Sequence, residues 1–212
     1  MGLMTSPGRR WVWYGGRPSL DFVNTRRNRE AGLRDGAAEY LRQPADFEAW
    51  LDAAGLAPAD PGGGSSPVAE QALDDETLAG ALALREAVDA AVTATVAGVS
   101  VPEQAVRCVN EWIAAEPERS ALRLEAGVPV LCPPRAGRTP RGALALIAVD
   151  AAELLGTGLR ERLRICPGPG CRGRFLDDSP AGRRRWCSMA VCGNRSKAAA
   201  HRQSAHAAAG RP

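Results

Sequence analysis

Between Asp74 and Gly98, the residues Leu78, Leu82, Val88, Val92 and Val96 fall in one stripe about 120° wide on a helical wheel. This pattern predicts a long amphipathic helix at the centre of the core. Phe47, Trp50 and Leu51 recur at helical spacing behind Pro44, and Gly55 follows the last of them, so a short helix is expected from Pro44 to Ala54. Two more helical patterns cover Ala105 to Ala115, with Val109, Trp112 and Ile113 inward, and Arg141 to Leu155, with Leu144, Ile147, Ala151, Leu154 and Leu155 on one face. Gly156 and Gly158 end the second of these.

Alternation changes the period to two in Leu122-Arg123-Leu124 and Val128-Pro129-Val130-Leu131, which flank Glu125-Ala126-Gly127 and read as a β-hairpin. The glycine- and serine-rich stretch from Pro58 to Pro67 reads as a loop. Ser19 to Thr25, which follows an aromatic segment from Trp11 to Tyr14, fits either a short helix or a strand; periodicity does not choose. The expected architecture is α+β and mostly α: a helical N-terminal domain at residues 1–158 with a small hairpin, then a small module at 159–212.

Charge separates the same two parts. Residues 160–212 carry twelve Arg or Lys against three acidic side chains, hence +9, whereas the preceding part carries fifteen against twenty-one, hence −6. A basic tail on an acidic body suggests a polyanionic partner for the tail. Arginine itself carries no such message, because 26 of the 27 basic residues are Arg and the whole chain is rich in Ala, Gly and Pro. The longest apolar stretch, Ala143 to Val149, is far short of a membrane span. The N-terminal residues from Met1 to Arg10 lack the apolar core of a secretion signal, so a reduced, cytoplasmic setting is expected.

That setting changes how four cysteines read. Cys166, Cys171, Cys187 and Cys192 are spaced Cys-x4-Cys-x15-Cys-x4-Cys. Two close pairs joined by a loop supply the four thiolates a tetrahedral zinc ion needs. Pro167-Gly168-Pro169-Gly170 cannot continue a helix and favours a tight reversal between the first two sulfurs. On one continuous helix Cys187 and Cys192 would point about 140° apart, so Cys187 is expected before a helix and Cys192 in its first turn, with Gly193 easing the backbone. Two disulfides, or four unrelated buried thiols, are the alternatives; the reduced setting favours one structural zinc. Cys108 and Cys132 are assigned no chemistry.

The string Trp186-Cys187-Ser188-Met189-Ala190-Val191-Cys192-Gly193-Asn194-Arg195, with Arg174-Phe175-Leu176-Asp177 and Arg183-Arg184-Arg185 upstream, resembles the CGNR zinc finger family. Leu20-Asp21-Phe22-Val23-Asn24-Thr25 and the helical body resemble the ABATE-like domain that accompanies this finger. The resemblance implies a stress-responsive transcriptional regulator and carries the four cysteines over as zinc ligands.

A zinc-anchored basic helix is a plausible nucleic-acid reader, and Arg183, Arg184, Arg185, Asn194, Arg195, Lys197, His201 and Arg202 are the candidate contacts. DNA is the expected partner, with RNA, or a protein bound by a zinc-stabilised interaction module, as alternatives. Asn194 could instead cap the helix, and Arg195 could donate to the cysteine sulfurs. Phe175, Leu176 and Trp186 are expected to form the module's small core. Asp21, Asn24 and Arg26 read as a buried network that ties down the N-terminus, or as the lining of an effector pocket. No enzyme is expected, because four protein thiolates leave a zinc ion no open position, and both histidines lie in the tail. The N-terminal domain is a possible homodimerisation surface.

Overall fold

The computed structural model describes residues 11–29, 38–56, 73–115, 121–125, 127–132 and 139–209. The expected loop at 58–67 and the first ten residues lie outside them. Pro18 begins α1 (Pro18–Val23), so the undecided segment is a helix less than two turns long. Burial of Ser19, Leu20, Phe22 and Val23 explains why no amphipathic period was visible there: most of its faces are covered. A two-residue ladder follows, with β1 (Arg26–Arg27) antiparallel to β2 (Ala38–Glu39).

The next boundaries follow helix-capping chemistry. α2 (Pro44–Ala54) starts on proline and stops at Gly55, which takes the left-handed conformation at φ 69°. α3 (Asp75–Ala97) starts where the Asp74 side chain accepts the Thr77 N–H and stops at left-handed Gly98. α4 (Glu103–Ala114) packs across α3 and α5. Gly80 makes the first crossing possible, since a Cβ there would lie 2.8 Å from the Trp112 ring. The expected hairpin is present as β3 (Ala121–Glu125) and β4 (Val128–Cys132), with Leu124 opposite Pro129 and Glu125, expected in the turn, paired with Val128. α5 (Pro140–Gly156) is capped by the Thr139 hydroxyl, which accepts the Gly142 N–H.

The core lies among α1, α2, α3 and α5. Phe22 contacts Phe47 and Trp50 with ring centroids 5.8 and 5.2 Å apart, and Leu84, Val88, Leu144, Ile147 and Leu154 fill the rest. Val109 is buried, while Trp112 and Ile113 pack on the edge of the core. Val96 departs from expectation: it is 39 % exposed, because the last turn of α3 runs past the packed body. Arg85 was invisible to the apolar pattern, yet it is fully buried on α3 and held by both carboxylate oxygens of Glu39, at 2.7 and 2.6 Å, and by the Thr25 hydroxyl.

After a 3-10 turn at Gly158–Arg162, the chain forms the hairpin β5 (Leu163–Ile165) and β6 (Arg174–Leu176), with Arg164 opposite Phe175. A π-helical turn at Met189–Gly193 then leads into α6 (Asn194–Ala209). Leu163 and Leu176 join the core of the helical body rather than a separate core of the C-terminal module. The expected Phe175-Leu176-Trp186 core is therefore split by strand alternation. Phe175 faces the cysteines with Trp186 beside it, and Leu176 faces the body. No helix among the described residues is long and apolar enough to cross a membrane.

Candidate metal centre

Cys166 leaves β5 while its N–H bonds the Gly173 carbonyl at 2.9 Å, and Cys171 returns toward β6. Between them the Gly168 carbonyl accepts the Cys171 N–H at 3.0 Å across a turn with Pro169 and then Gly170, whose φ is +62°. Proline followed by a left-handed glycine is the residue pattern of a type II turn, so the composition between the first two cysteines produces the reversal. Gly168 also lies against the site. A Cβ there would approach Cys192 Cβ at 3.1 Å and its Sγ at 3.3 Å, which leaves little room for any side chain.

The second pair is arranged by a different device. Cys187 lies just before the π-helical turn and Cys192 lies within it. The cap is Ser188, whose hydroxyl accepts the Val191 N–H at 3.3 Å. Asn194 does not cap the helix, contrary to expectation; its side-chain amide donates to the Ala190 carbonyl at 3.2 Å. The helical turn already begins at Met189, so Asn194 arrives too late to cap it. Gly193 is also used differently from the expectation, because a Cβ there would collide with the Met189 sulfur and press on Trp186. Close approach, not backbone freedom, favours the glycine, since any side chain would have to displace Met189 and shift against Trp186.

These two devices bring four buried sulfurs within 4.8 Å of one another. Cys171 and Cys187 are 3.5 Å apart, and Cys187 and Cys192 are 3.6 Å apart. Sulfurs bound at about 2.3 Å around a tetrahedral ion lie about 3.8 Å apart, whereas a disulfide needs about 2.05 Å. The spacing fits zinc, and all four thiols are free. Hydrogen bonds from Cys166 and Cys187 push the Cys171 thiol far down, while contact with the neighbouring sulfurs pushes Cys187 up and burial pushes Cys192 up. Four thiolates at this distance require a divalent cation. One structural zinc held by these four cysteines leaves no position open to a substrate.

The body supplies part of the site. Asn24, at the end of α1, donates its amide to the Arg174 carbonyl at 2.8 Å and accepts the Arg174 N–H at 2.9 Å. The Arg174 side chain reaches Asp89 on α3, with Nε 2.6 Å from Oδ1, and Arg29 pairs with the same carboxylate at 3.5 Å. Burial raises the Asp89 pKa despite both cations, Arg29 and Arg174. Arg26 pairs with Glu86 at 3.5 Å. Asp21 accepts the Gly15 N–H at 2.8 Å and so ties down the N-terminal segment as expected, whereas Asn24 pairs with Arg174 and Arg26 with Glu86, so the three do not form one network.

The candidate basic contacts divide by direction. Arg183 and Arg185 are exposed, and Arg185 stacks over Trp186 with its guanidinium carbon 5.3 Å from the ring centre. Arg184, between them, points inward and departs from the expectation of a nucleic-acid contact. It donates to the carbonyls of Trp186, Leu176, Tyr14 and Cys187, pairs with Asp178, and lies 4.9 Å from the centre of the Phe175 ring. Alternation in an extended segment explains the split. Arg195 donates to the Pro169 carbonyl at 3.1 Å, tying one cysteine pair to the other through backbone rather than sulfur. Lys197, His201 and Arg202 are exposed on α6.

A family model described as "Putative stress-induced transcription regulator", ABATE, matches residues 16–158. The chain belongs to the ABATE family. A second model, the CGNR zinc finger, matches residues 162–205 and contains all four cysteines. No curated protein matches the chain. The ABATE body and the CGNR finger are thus joined through Asn24, Arg174 and Asp89, contacts that the four-cysteine spacing alone does not reveal. Asn24 belongs to the Leu20-to-Thr25 string and is named with Asp21 in the sequence, but its partner Arg174, 150 positions away, carries no such signal.

Proposed function

We propose that this ABATE protein is a non-enzymatic transcriptional regulator that binds DNA through its CGNR finger, with zinc fixing α6 and the Arg183-to-Arg185 segment relative to the body. The observation that carries the reading is the state of the cations around the metal centre. Arg183, Arg185, Lys197 and Arg202 are exposed and form no ion pair among the described residues, and α6 contains no acidic residue. From Lys197 to Ser204 every position of α6 except Ala199 is exposed.

A helix so poor in apolar surface gains nothing from burial in a protein core, and its charges suit a phosphate backbone. Arg183 and Arg185 flank the inward Arg184 on the same outer side, which suits contacts to phosphates; α6 is the element that suits a groove. The test is fluorescence anisotropy of the zinc-loaded protein on labelled duplex DNA, at two salt concentrations and with single-stranded RNA as competitor. Salt-sensitive binding that duplex DNA competes better than RNA supports the reading. Preference for RNA, or no binding to either, overturns it.

A further inference from the structure

A narrow cleft separates the body from the metal centre. Val12, Tyr14 and Arg27 line its body side, and Cys171, Cys187 and Cys192 line the other; Cys166 is not among the lining residues. Its cavity volume is about 20 Å³, enough for one water-sized molecule and too small for a metabolite. Gly173 forms part of the wall, and a Cβ there would lie 3.4 Å from the Cys171 sulfur, so the missing side chain leaves that sulfur open to the cleft. Arg27 forms no ion pair among the described residues and adds a cation beside the sulfurs. The pair Cys171 and Cys187 borders the cleft, lies 3.5 Å apart and joins one knuckle to the other.

We propose that this cleft is an oxidation site, at which a small peroxide converts Cys171 and Cys187 into a disulfide and so dismantles the metal centre. The Cys171 sulfur attacks one peroxide oxygen, the O–O bond breaks, and the departing hydroxide takes a proton to become water. Cys171 is then a sulfenic acid. The Cys187 thiolate attacks that sulfur, the S–S bond forms, the S–O bond breaks, and the second hydroxide takes a proton. Two thiolates, one hydrogen peroxide and two protons thus give one disulfide and two waters, with two electrons passing from sulfur to oxygen. Closing the pair from 3.5 Å to about 2.05 Å withdraws two ligands. Cys166 and Cys192 alone are too few to hold the ion. The inference rests on the metal centre and is independent of DNA binding.

The experiment uses the full zinc-loaded chain, a chromophoric zinc chelator to follow release, and peptide mass spectrometry to map the bridge. Hydrogen peroxide is expected to release one zinc per chain, reversibly with dithiothreitol and zinc, and to leave a Cys171–Cys187 bridge. Tert-butyl hydroperoxide, too large for the cleft, is expected to act at least tenfold more slowly, after correction for the two oxidants' rates with a small free thiol. Val12→Phe, which adds bulk to the cleft wall, is expected to slow release about fivefold or more with zinc content unchanged. Bridges involving Cys166, equal corrected rates for the two peroxides, or absence of release would overturn the proposal. Should Val12→Phe lose zinc on purification, the bridge map and the peroxide comparison decide it.

Discussion

The side chain of Asn24 pairs with the backbone of Arg174 through two buried hydrogen bonds, 2.8 and 2.9 Å long, so the residue that follows α1 acts as a strand partner for the zinc finger. An amide carries an N–H donor and a carbonyl acceptor side by side, which matches the carbonyl and N–H of a single strand residue. Asn24→Ala would leave both backbone groups unpaired and is expected to cost about 2–4 kcal/mol. Asn24→Asp would keep the acceptor but set a carboxylate against the Arg174 carbonyl. Chemical denaturation of the zinc-loaded protein checks both, and an unchanged midpoint for either would show that this pairing does not hold the finger to the body.

Asp89 ties together two cations from different parts of the chain, Arg29 and Arg174. Asp89→Asn is expected to destabilise the fold by about 3 kcal/mol, because it leaves Arg174 buried without its carboxylate. Arg174→Met should be milder, since Arg29 still faces Asp89. Thermal melts of the two variants should therefore rank Asp89→Asn below Arg174→Met.

Much of this architecture is legible in the sequence because its boundaries are local. Pro44, Gly55, Asp74 and Gly98 mark helix ends by their own backbone or hydrogen-bonding chemistry, and the cysteine spacing specifies a metal without any long-range information. The interlock is of the other kind. Arg85 leaves no mark in the apolar pattern of α3, and its burial depends on partners distant in sequence, above all Glu39, 46 positions earlier. Leu176 and Phe175 are adjacent in sequence but feed different clusters, a division that requires knowing where β6 lies. Arg184 sits within a run of three arginines, and its inward turn depends on carbonyls from Tyr14, Leu176 and Cys187 that converge only in the folded chain.

The same convergence separates stability from binding within that run. Arg184→Ala is expected to destabilise the protein by about 2–3 kcal/mol through its lost carbonyl contacts. Arg183→Ala and Arg185→Ala should leave the melting temperature nearly unchanged, weaken DNA binding, and each reduce the slope of log K against log salt by about one. Melting curves and anisotropy at several salt concentrations make the comparison.

Burial pushes the Asp21 carboxyl up to about 7, against the lowering effect of the N–H groups of Gly15 and Tyr14. A carboxyl whose folded pKa exceeds its unfolded value of about 3.9 favours folding when protonated. Its contribution is therefore complete below about pH 4 and is lost as pH rises toward and through about 7. Asp21→Asn, which keeps an acceptor for Gly15, should remove that slope. The difference in stability between the original chain and Asp21→Asn, measured from pH 5 to pH 8, should move in favour of Asn as pH rises.

In the proposed function, zinc in the four-cysteine centre orders the surface that would bind DNA. The most direct measurement is anisotropy on duplex DNA for the zinc-loaded chain, the chelator-stripped chain and Cys187→Ser, with zinc per chain determined on the same samples. One zinc and salt-dependent binding are expected for the first, and loss of both zinc and binding for the other two, with binding restored to the stripped chain by added zinc. Equal DNA affinity with and without zinc would contradict the proposed function.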